Sequence, residues 1–322
     1  MWSLAKKSPK KNLKKVLAID LGGTKIAAAA VDERGRLWDL RRESVRAQAG
    51  PAELIQQIVE ISAPLIKKYK IKTGAIASAG PLDPIKGTLL NPTNLKTQGE
   101  MWGVVPLTSK LERALKVRFF LENDAAAAAL AEYWRGAGRG AENLISVTLG
   151  TGLGVGVIAN GQLVRSGRNL HPEAGHIIIS HGEKEWLCGC GNYGCAEAFL
   201  SGVNFTHRLA ERWKDSKLIG EELVRRARSG DETVRREFDQ YADRLATFLL
   251  SLVVLFSPER IILSGGFSHA SDLFLDRCTK RLSDLLKTRR EGHDLMPNIK
   301  VSPFQNEAGV LGAAFVALGI QK

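Results

Sequence analysis

Apolar residues in this chain gather in short, strand-length runs, each stopped by a polar or glycine-rich turn. Val16-Leu17-Ala18-Ile19 runs into Asp20-Leu21-Gly22-Gly23-Thr24-Lys25, and Ile26 then opens a second apolar run through Val31. This pattern predicts a strand, a glycine turn and a return strand. The plan recurs over residues 144–164, where Leu144-Ile145-Ser146-Val147-Thr148-Leu149 leads into Gly150-Thr151-Gly152-Leu153-Gly154-Val155-Gly156. Two hairpins of one design predict a duplicated architecture, and 322 residues suit two domains. A further strand, Arg260-Ile261-Ile262-Leu263-Ser264, ends on Gly265-Gly266, and another spans Leu115 to Asp124 before an alanine-rich helix from Ala125 to Trp134. Leu245 to Phe256 is the longest apolar run. It is too short to cross a bilayer, contains Thr247 and Ser251, and predicts a buried helix. The amphipathic stretch Asp272 to Leu286 places Cys278 in a core.

Glycine in such turns has a chemical use, because a backbone without Cβ presents its N–H groups closely to phosphate oxygens. A lone Gly-Gly also makes ordinary hairpins. Two turns in register make Gly22, Gly23, Thr24 and Lys25, with Gly150, Thr151 and Gly152, candidates for the phosphates of a nucleotide. Asp20 ends its strand where it can hold hydrated Mg2+, which takes one or two carboxylates beside waters and phosphate oxygens. A cap on its own turn is the alternative. Gly265 and Gly266 lie beyond the carboxyl end of a strand, where ligands of such sheets gather, and predict packing against adenosine. The plain alternative is a strand-to-helix turn.

His176, Cys188, Cys190 and Cys195 form the pattern H-x11-C-x-C-x4-C, with Gly189, Gly191 and Gly194 allowing the sulfurs to converge. Three cysteines and one histidine are a closed, structural zinc set. A disulfide with a spare thiol is disfavoured by the absence of a secretory signal and of a wider cysteine framework.

Asn123 and Asp124 stand between a strand and a helix, where either could be an N-cap. One cap does not account for both. In phosphoryl transfer to an alcohol, a carboxylate placed against the hydroxyl takes its proton as the oxygen attacks the γ-phosphate. Asp124, following an amide able to bind sugar hydroxyls, suits that role.

Hydrophobic content of 44% and charged content of 25% are those of a soluble globular protein, expected in the cytoplasm. The net charge of +12 invites a nucleic-acid reading, but Lys6, Lys7, Lys10, Lys11, Lys14 and Lys15 supply six of those charges before the first strand. Residues 1–15 are expected to be a basic, solvated leader, with weak polyanion contact as the alternative and no specific nucleic acid.

Taken in order, these motifs resemble the ROK family of sugar kinases and sugar-responsive repressors over nearly the whole chain. Asp20-Leu21-Gly22-Gly23-Thr24-Lys25 is similar to the family's first phosphate motif, and Leu149-Gly150-Thr151-Gly152-Leu153-Gly154 to its second. Leu121-Glu122-Asn123-Asp124-Ala125 resembles the catalytic-aspartate motif. Pro172-Glu173-Ala174-Gly175-His176, followed by the cysteines and Ala196-Glu197, is similar to the sugar-and-zinc signature.

The resemblance implies an α/β fold of the actin/hexokinase (ASKHA) type, two RNase H-like domains around a central cleft. Residues 16–122 would form the first and 123–307, with the zinc module, the second, while a last helix over 308–322 packs back on the first. It further implies an ATP-dependent hexose kinase using Mg2+ and structural Zn2+, assembled as a homodimer. Asp124 would be the base. Asn94, Asn123, Glu173, His176 and Glu197 would hold sugar hydroxyls, with Trp102 as a wall, and His176 would turn one ring nitrogen to zinc and the other to the sugar.

Some positions depart from the family pattern. Ala126 stands where a second asparagine is common, and Ser78-Ala79-Gly80-Pro81 replaces a more glycine-rich turn. His171-Pro172-Glu173 is similar to fructokinase-like members, with His171 as a sugar contact or a loop residue, whereas Cys188-Gly189-Cys190-Gly191 is similar to glucokinase-like ones. Glucose is the expected sugar, because the zinc module is the longer match, with fructose or an N-acetylhexosamine as alternatives. A sugar-sensing regulator needs a helix-turn-helix of tens of residues. Only fifteen lysine-rich residues precede Val16, and Asp124 and the phosphate glycines are intact, so an enzyme is expected rather than a regulator or a binding scaffold.

Overall fold

The computed structural model describes residues 13–92, 95–97, 100–167, 170–181, 186–287, 293–304 and 306–320. Lys6, Lys7, Lys10 and Lys11 of the basic leader lie outside them, as does Asn94.

In chain order the first lobe contains β1 (Lys15–Leu21), β2 (Lys25–Asp32), β3 (Leu37–Ser44), α1 (Pro51–Tyr69) and β4 (Thr73–Ser78). Short strands β5 (Leu82–Asp83), β6 (Thr88–Leu90), β7 (Lys96–Thr97), β8 (Glu100–Met101) and β9 (Val104–Val105) follow, then α2 (Leu107–Leu115) and β10 (Arg118–Asn123), which leads into α3 (Asp124–Arg135). The second lobe has β11 (Leu144–Leu149), β12 (Leu153–Ala159), β13 (Gln162–Leu163), α4 (Ala196–Leu200), α5 (Gly202–Trp213), α6 (Gly220–Arg228) and α7 (Glu232–Phe256). It ends with β14 (Arg260–Ser264), α8 (Leu275–Leu286) and β15 (Asn298–Val301), after which α9 (Ala308–Leu318) packs back on β1 and β4 of the first lobe.

The two main sheets have the orders β10-β4-β1-β2-β3 and β13-β12-β11-β14-β15. In each, a central strand pairs antiparallel with the next strand of its hairpin and parallel with the strand on its other side. The repeat seen in the two glycine hairpins is thus a repeat of whole sheets. Apolar side chains on both faces of β1 and β2 explain why helices cover both sides. Ala28 and Ala30 face a core shared with Leu54 and Ile58 of α1, while Ala27 and Ala29 face Ala313 and Ala314 of α9. In α1, Leu54, Ile58, Ile61 and Leu65 recur on one buried face. The second lobe centres on α7, whose Phe238, Tyr241 and Leu245 pack with Phe205 of α5 and the fully buried Cys278 of α8.

Two boundaries differ from the sequence pattern. The apolar residues from Leu115 do not begin a strand, because Leu107 and Leu111 already define a helix whose end is closed by Lys116 in the left-handed region, its N–H donating to Glu112 O. The strand starts at Arg118. The helix expected over Leu245–Phe256 extends back to Glu232, where Asp231 caps the N–H groups of Thr233 and Val234.

Helix α3 lies between the lobes and is pressed from both sides. A Cβ on Gly156 of β12 would stand 2.6 Å from Ala129 Cβ, and one on Gly312 of α9 would stand 2.7 Å from Ala127 Cα. Only glycine admits these approaches.

Candidate active site

The first glycine turn leaves the carboxyl end of β1, with Gly22 N–H donating to Lys25 O at 3.0 Å. Thr24 and Lys25 are exposed there, beside the partly buried Asp20. In the second turn Gly150 N–H donates to Gly152 O at 3.1 Å, and Gly150 O receives Gly202 N–H from the start of α5 at 2.9 Å. Gly150, Thr151 and Gly266 open onto a cavity of about 1420 Å³. Val203 of α5 and Ile219 before α6 are half-exposed apolar walls of it. Gly265 adopts φ 83° and packs its backbone on Leu149, leaving no room for a side chain.

Asn123 is the N-cap of α3: its Oδ1 accepts from Ala125 N–H at 2.9 Å and Ala126 N–H at 3.1 Å. The amide oxygen is thereby engaged, and Nδ2 faces the Ser78–Pro81 turn near Gly80. Asp124 is the first helical residue, and its Oδ1 accepts from Ala125 N–H at 2.8 Å. Its carboxylate is reached by solvent from the cleft but has protein on nearly every other side. That crowding raises its carboxyl above the ordinary value, against the pull of the Ala125 N–H and of His171, while the charge of Glu173 adds to the rise. Asp20 is raised to about 6, first by burial and next by the negative charge of Asp124, with Arg42 opposing. The two acids of the two motifs are therefore electrostatically coupled.

Glu173 sits between two histidines, 3.2 Å from His171 Nε2 and 4.0 Å from His176 Nε2. The other nitrogen of His176, Nδ1, lies 3.5 Å from Cys188 Sγ. Cys190 Sγ and Cys195 Sγ are 3.6 Å apart, all four donor atoms lie within 4.8 Å of one another, and no cysteine is in a disulfide. A tetrahedral metal with bonds of about 2.3 Å to sulfur and about 2.0 Å to nitrogen spaces its donors roughly 3.5–3.8 Å apart. The cluster fits a metal of that kind. Burial pushes the Cys188 thiol up to about 12.

Glu197 joins this cluster to the second turn, since its Oε2 accepts from Leu153 N–H at 2.9 Å and its Oε1 lies 3.6 Å from Cys188 Sγ. Asn94 belongs to the positions outside the described residues. Trp102 is half-buried on the first-lobe core, and its indole N–H donates to Thr97 Oγ1 at 2.8 Å.

The sequence left His171 open as a sugar contact or a loop residue, and Arg165 escaped the motif reading altogether. His171 lies 3.8 Å from where a Cβ on Gly80 would stand, inside the recess with Asn123 and Glu173. Its adjacency to Pro172-Glu173 was the available signal. Arg165 forms a two-pronged ion pair with the buried Glu122, with Nη1 to Oε1 at 3.2 Å and Nη2 on Oε2. No sequence spacing pointed to that pair.

A glycine turn opening on a large cavity, a second turn of the same design beside Asp20, electrostatically coupled acids and a Cys/His cluster tied through Glu197 to the second turn fit a nucleotide-dependent transferase site on a duplicated sheet. The ROK family profile matches residues 16–320, and the chain belongs to the ROK family. It is 30% identical over 315 residues to the glucokinase of Thermotoga maritima, covering 94% of this chain and 96% of that one. A crystal structure of a ROK hexokinase from Thermus thermophilus superposes with a TM-score of 0.81 at 31% identity, covering 94% of this chain and 98% of that one. A ROK glucokinase from Streptomyces griseus, solved in complex with glucose and AMPPNP, gives a TM-score of 0.79 at 30% identity, covering 95% and 100%. The architecture is the two-domain ASKHA fold. Among the described residues, no helix is long and apolar enough to cross a membrane.

Proposed function

We propose that this chain is an ATP-dependent glucose kinase that phosphorylates the 6-hydroxyl with Asp124 as general base. The observation that carries this reading is the placement of the Asp124 carboxylate at the head of α3, open to the cleft and electrostatically coupled to Asp20 beside the first glycine turn. Asp124 takes the hydroxyl proton as the sugar oxygen bonds to the γ-phosphorus, and the bond to the β-phosphate oxygen breaks to release ADP. Its raised carboxyl suits this task, since a base of higher pKa gives the transferred proton a better destination.

Asn123 offers Nδ2 to a sugar hydroxyl, because its Oδ1 is held by the helix. Glu173 and His176 Nε2 supply further partners, with Glu197 and Asn94 completing the set. The phosphates lie between Gly22, Gly23, Thr24 and Lys25 on one side and Gly150, Thr151 and Gly152 on the other. The adenosine runs along Gly265 and Gly266 into the cavity walled by Val203 and Ile219. Asp20 would hold Mg2+, whose charge neutralises phosphate oxygens when bound. His176, Cys188, Cys190 and Cys195 would hold Zn2+ as a brace that fixes the His176 ring.

The lobes divide at 122/123, with residues 1–15 as leader and 308–322 returned to the first lobe, in support of which α9 packs on β1 and β4. A cytoplasmic homodimer belongs to the same proposal. A coupled assay of ADP release against a panel of hexoses tests the reading. The highest kcat/KM is expected for glucose. Release with no hexose would overturn the kinase assignment, and a tenfold preference for fructose or N-acetylglucosamine would overturn the sugar.

A further inference from the structure

We infer that Arg165 is a positioning residue for phosphoryl transfer: its ion pair with Glu122 fastens the sugar-binding loop of the second lobe to the strand that leads into Asp124. The inference rests on the kinase reading above.

Glu122 is buried at the end of β10, one residue before Asn123 and two before Asp124. Its Oε1 accepts from Asn123 N–H at 2.9 Å and from Arg165 Nη1 at 3.2 Å, while its Oε2 meets Arg165 Nη2. A guanidinium fork on a carboxylate fixes orientation as well as distance. The same carboxylate thereby grips the backbone of the residue that caps α3. Arg165 emerges directly from the edge of the second-lobe sheet, where Val164 N–H donates to Val157 O at 2.8 Å. Ser166 N–H then donates to Leu170 O at 2.8 Å, closing the loop that delivers His171 and Glu173. The pair sits where this loop leaves its own lobe.

Apolar side chains could fill that space and are often at least as stabilising as a buried ion pair. What the pair adds is direction. Asn123 and Asp124 reach the sugar from β10 and α3, whereas Glu173 reaches it from the loop beyond Arg165. The fork holds these groups in one frame before a ligand arrives. The nucleotide cavity is bounded by other elements, chiefly α5, α6 and the turn at Gly266, and does not depend on the pair.

The experiment compares Arg165→Leu, Arg165→Lys and the double variant Glu122→Leu/Arg165→Leu with the wild type. Glucose affinity is read by calorimetry without nucleotide, alongside kcat, affinity for a non-hydrolysable ATP analogue and the thermal midpoint. Arg165→Leu is expected to weaken glucose binding and lower kcat by about tenfold or more each, leaving analogue affinity within about twofold. Arg165→Lys, which keeps the charge and loses the fork, should fall between. The double variant should regain the thermal midpoint without regaining glucose affinity or kcat, and it carries the test if the single variant fails to fold. Glucose affinity and kcat within twofold of wild type in Arg165→Leu, or recovered together with the midpoint in the double variant, would overturn the inference. A wild-type protein that neither binds nor phosphorylates glucose sinks the kinase reading, whereas a normal wild type with indifferent variants sinks only this inference.

Discussion

Gly309, the second residue of α9, lies directly against the carboxylate of Asp20: a Cβ there would stand 2.5 Å from Oδ2 and 2.7 Å from Oδ1. The end of the chain thus closes over the acid of its first motif. The Asp20 carboxylate rests against the start of α9 and is confined there, unable to move further toward the helix.

Gly309→Ala tests that confinement. The added methyl must displace the carboxylate or the helix, and overpacking of this kind costs about 1–3 kcal/mol. The expected outcome is a raised Mg2+ requirement and a fall in kcat of about tenfold, with glucose affinity measured without nucleotide unchanged. Titration of activity against Mg2+ reads it. An unaltered Mg2+ dependence would dissociate Asp20 from the metal.

Asp124→Asn keeps the shape of the side chain and removes its ability to accept a proton. Loss of a general base lowers rates by about 10²–10⁴. Turnover should fall within that range while glucose affinity stays within a few-fold. A variant keeping more than about a third of wild-type kcat would remove Asp124 from the role.

The raised carboxyls of Asp20 and Asp124 set a pH dependence. A base must be ionised, so the acid limb of kcat/KM should lie above the ordinary carboxyl value of 3.8, because burial raises Asp124. For folding the direction is reversed, because each group binds its proton more tightly in the native state. The Asp20 contribution is complete below its unfolded value and lost as pH rises through about 6. Asp20→Asn should therefore raise the thermal midpoint of ligand-free protein at pH 8 by a few degrees and leave it unchanged at pH 4. Equal midpoints at pH 8 would count against the raised carboxyl.

Cys190→Ser addresses the brace. One zinc per chain should copurify with the wild type and be lost from this variant, with the KM for glucose rising through the freed His176 ring more than kcat falls. Elemental analysis showing no metal in fully active protein would contradict the assignment.

Much of this site was legible in the sequence because its chemistry is local. The two glycine hairpins read as strand, turn and strand, and a cysteine cluster within eight residues has few ways to fold. Asn123 and Asp124 were recognisable as a pair, but their different states were not. The cap takes up Asn123 Oδ1, and the rise at Asp124 comes from walls distant in the chain. The grip of Arg165 on Glu122 was invisible because it depends on how two sheets meet. The start of β10 was misplaced for a related reason: Leu115 carries an apolar side chain in either structure, and only the left-handed backbone at Lys116 separates helix from strand.

Helix α3 has a consequence for how this molecule can evolve and move. At Ala125, Ala127 and Ala129 its flanks meet glycines of β12 and α9, so along that stretch the neighbouring backbones touch it with no larger side chain between. Such a surface resembles a bearing, able to permit a small roll and intolerant of any thickening. A single larger residue at Ala127 or Ala129 would act as a shim, prising the lobes apart and changing the gap between Asp20 and Asp124 without touching either. Changes in substrate preference are therefore free to accumulate in the loops that line the cleft, while the axle between the lobes must stay as slender as it is.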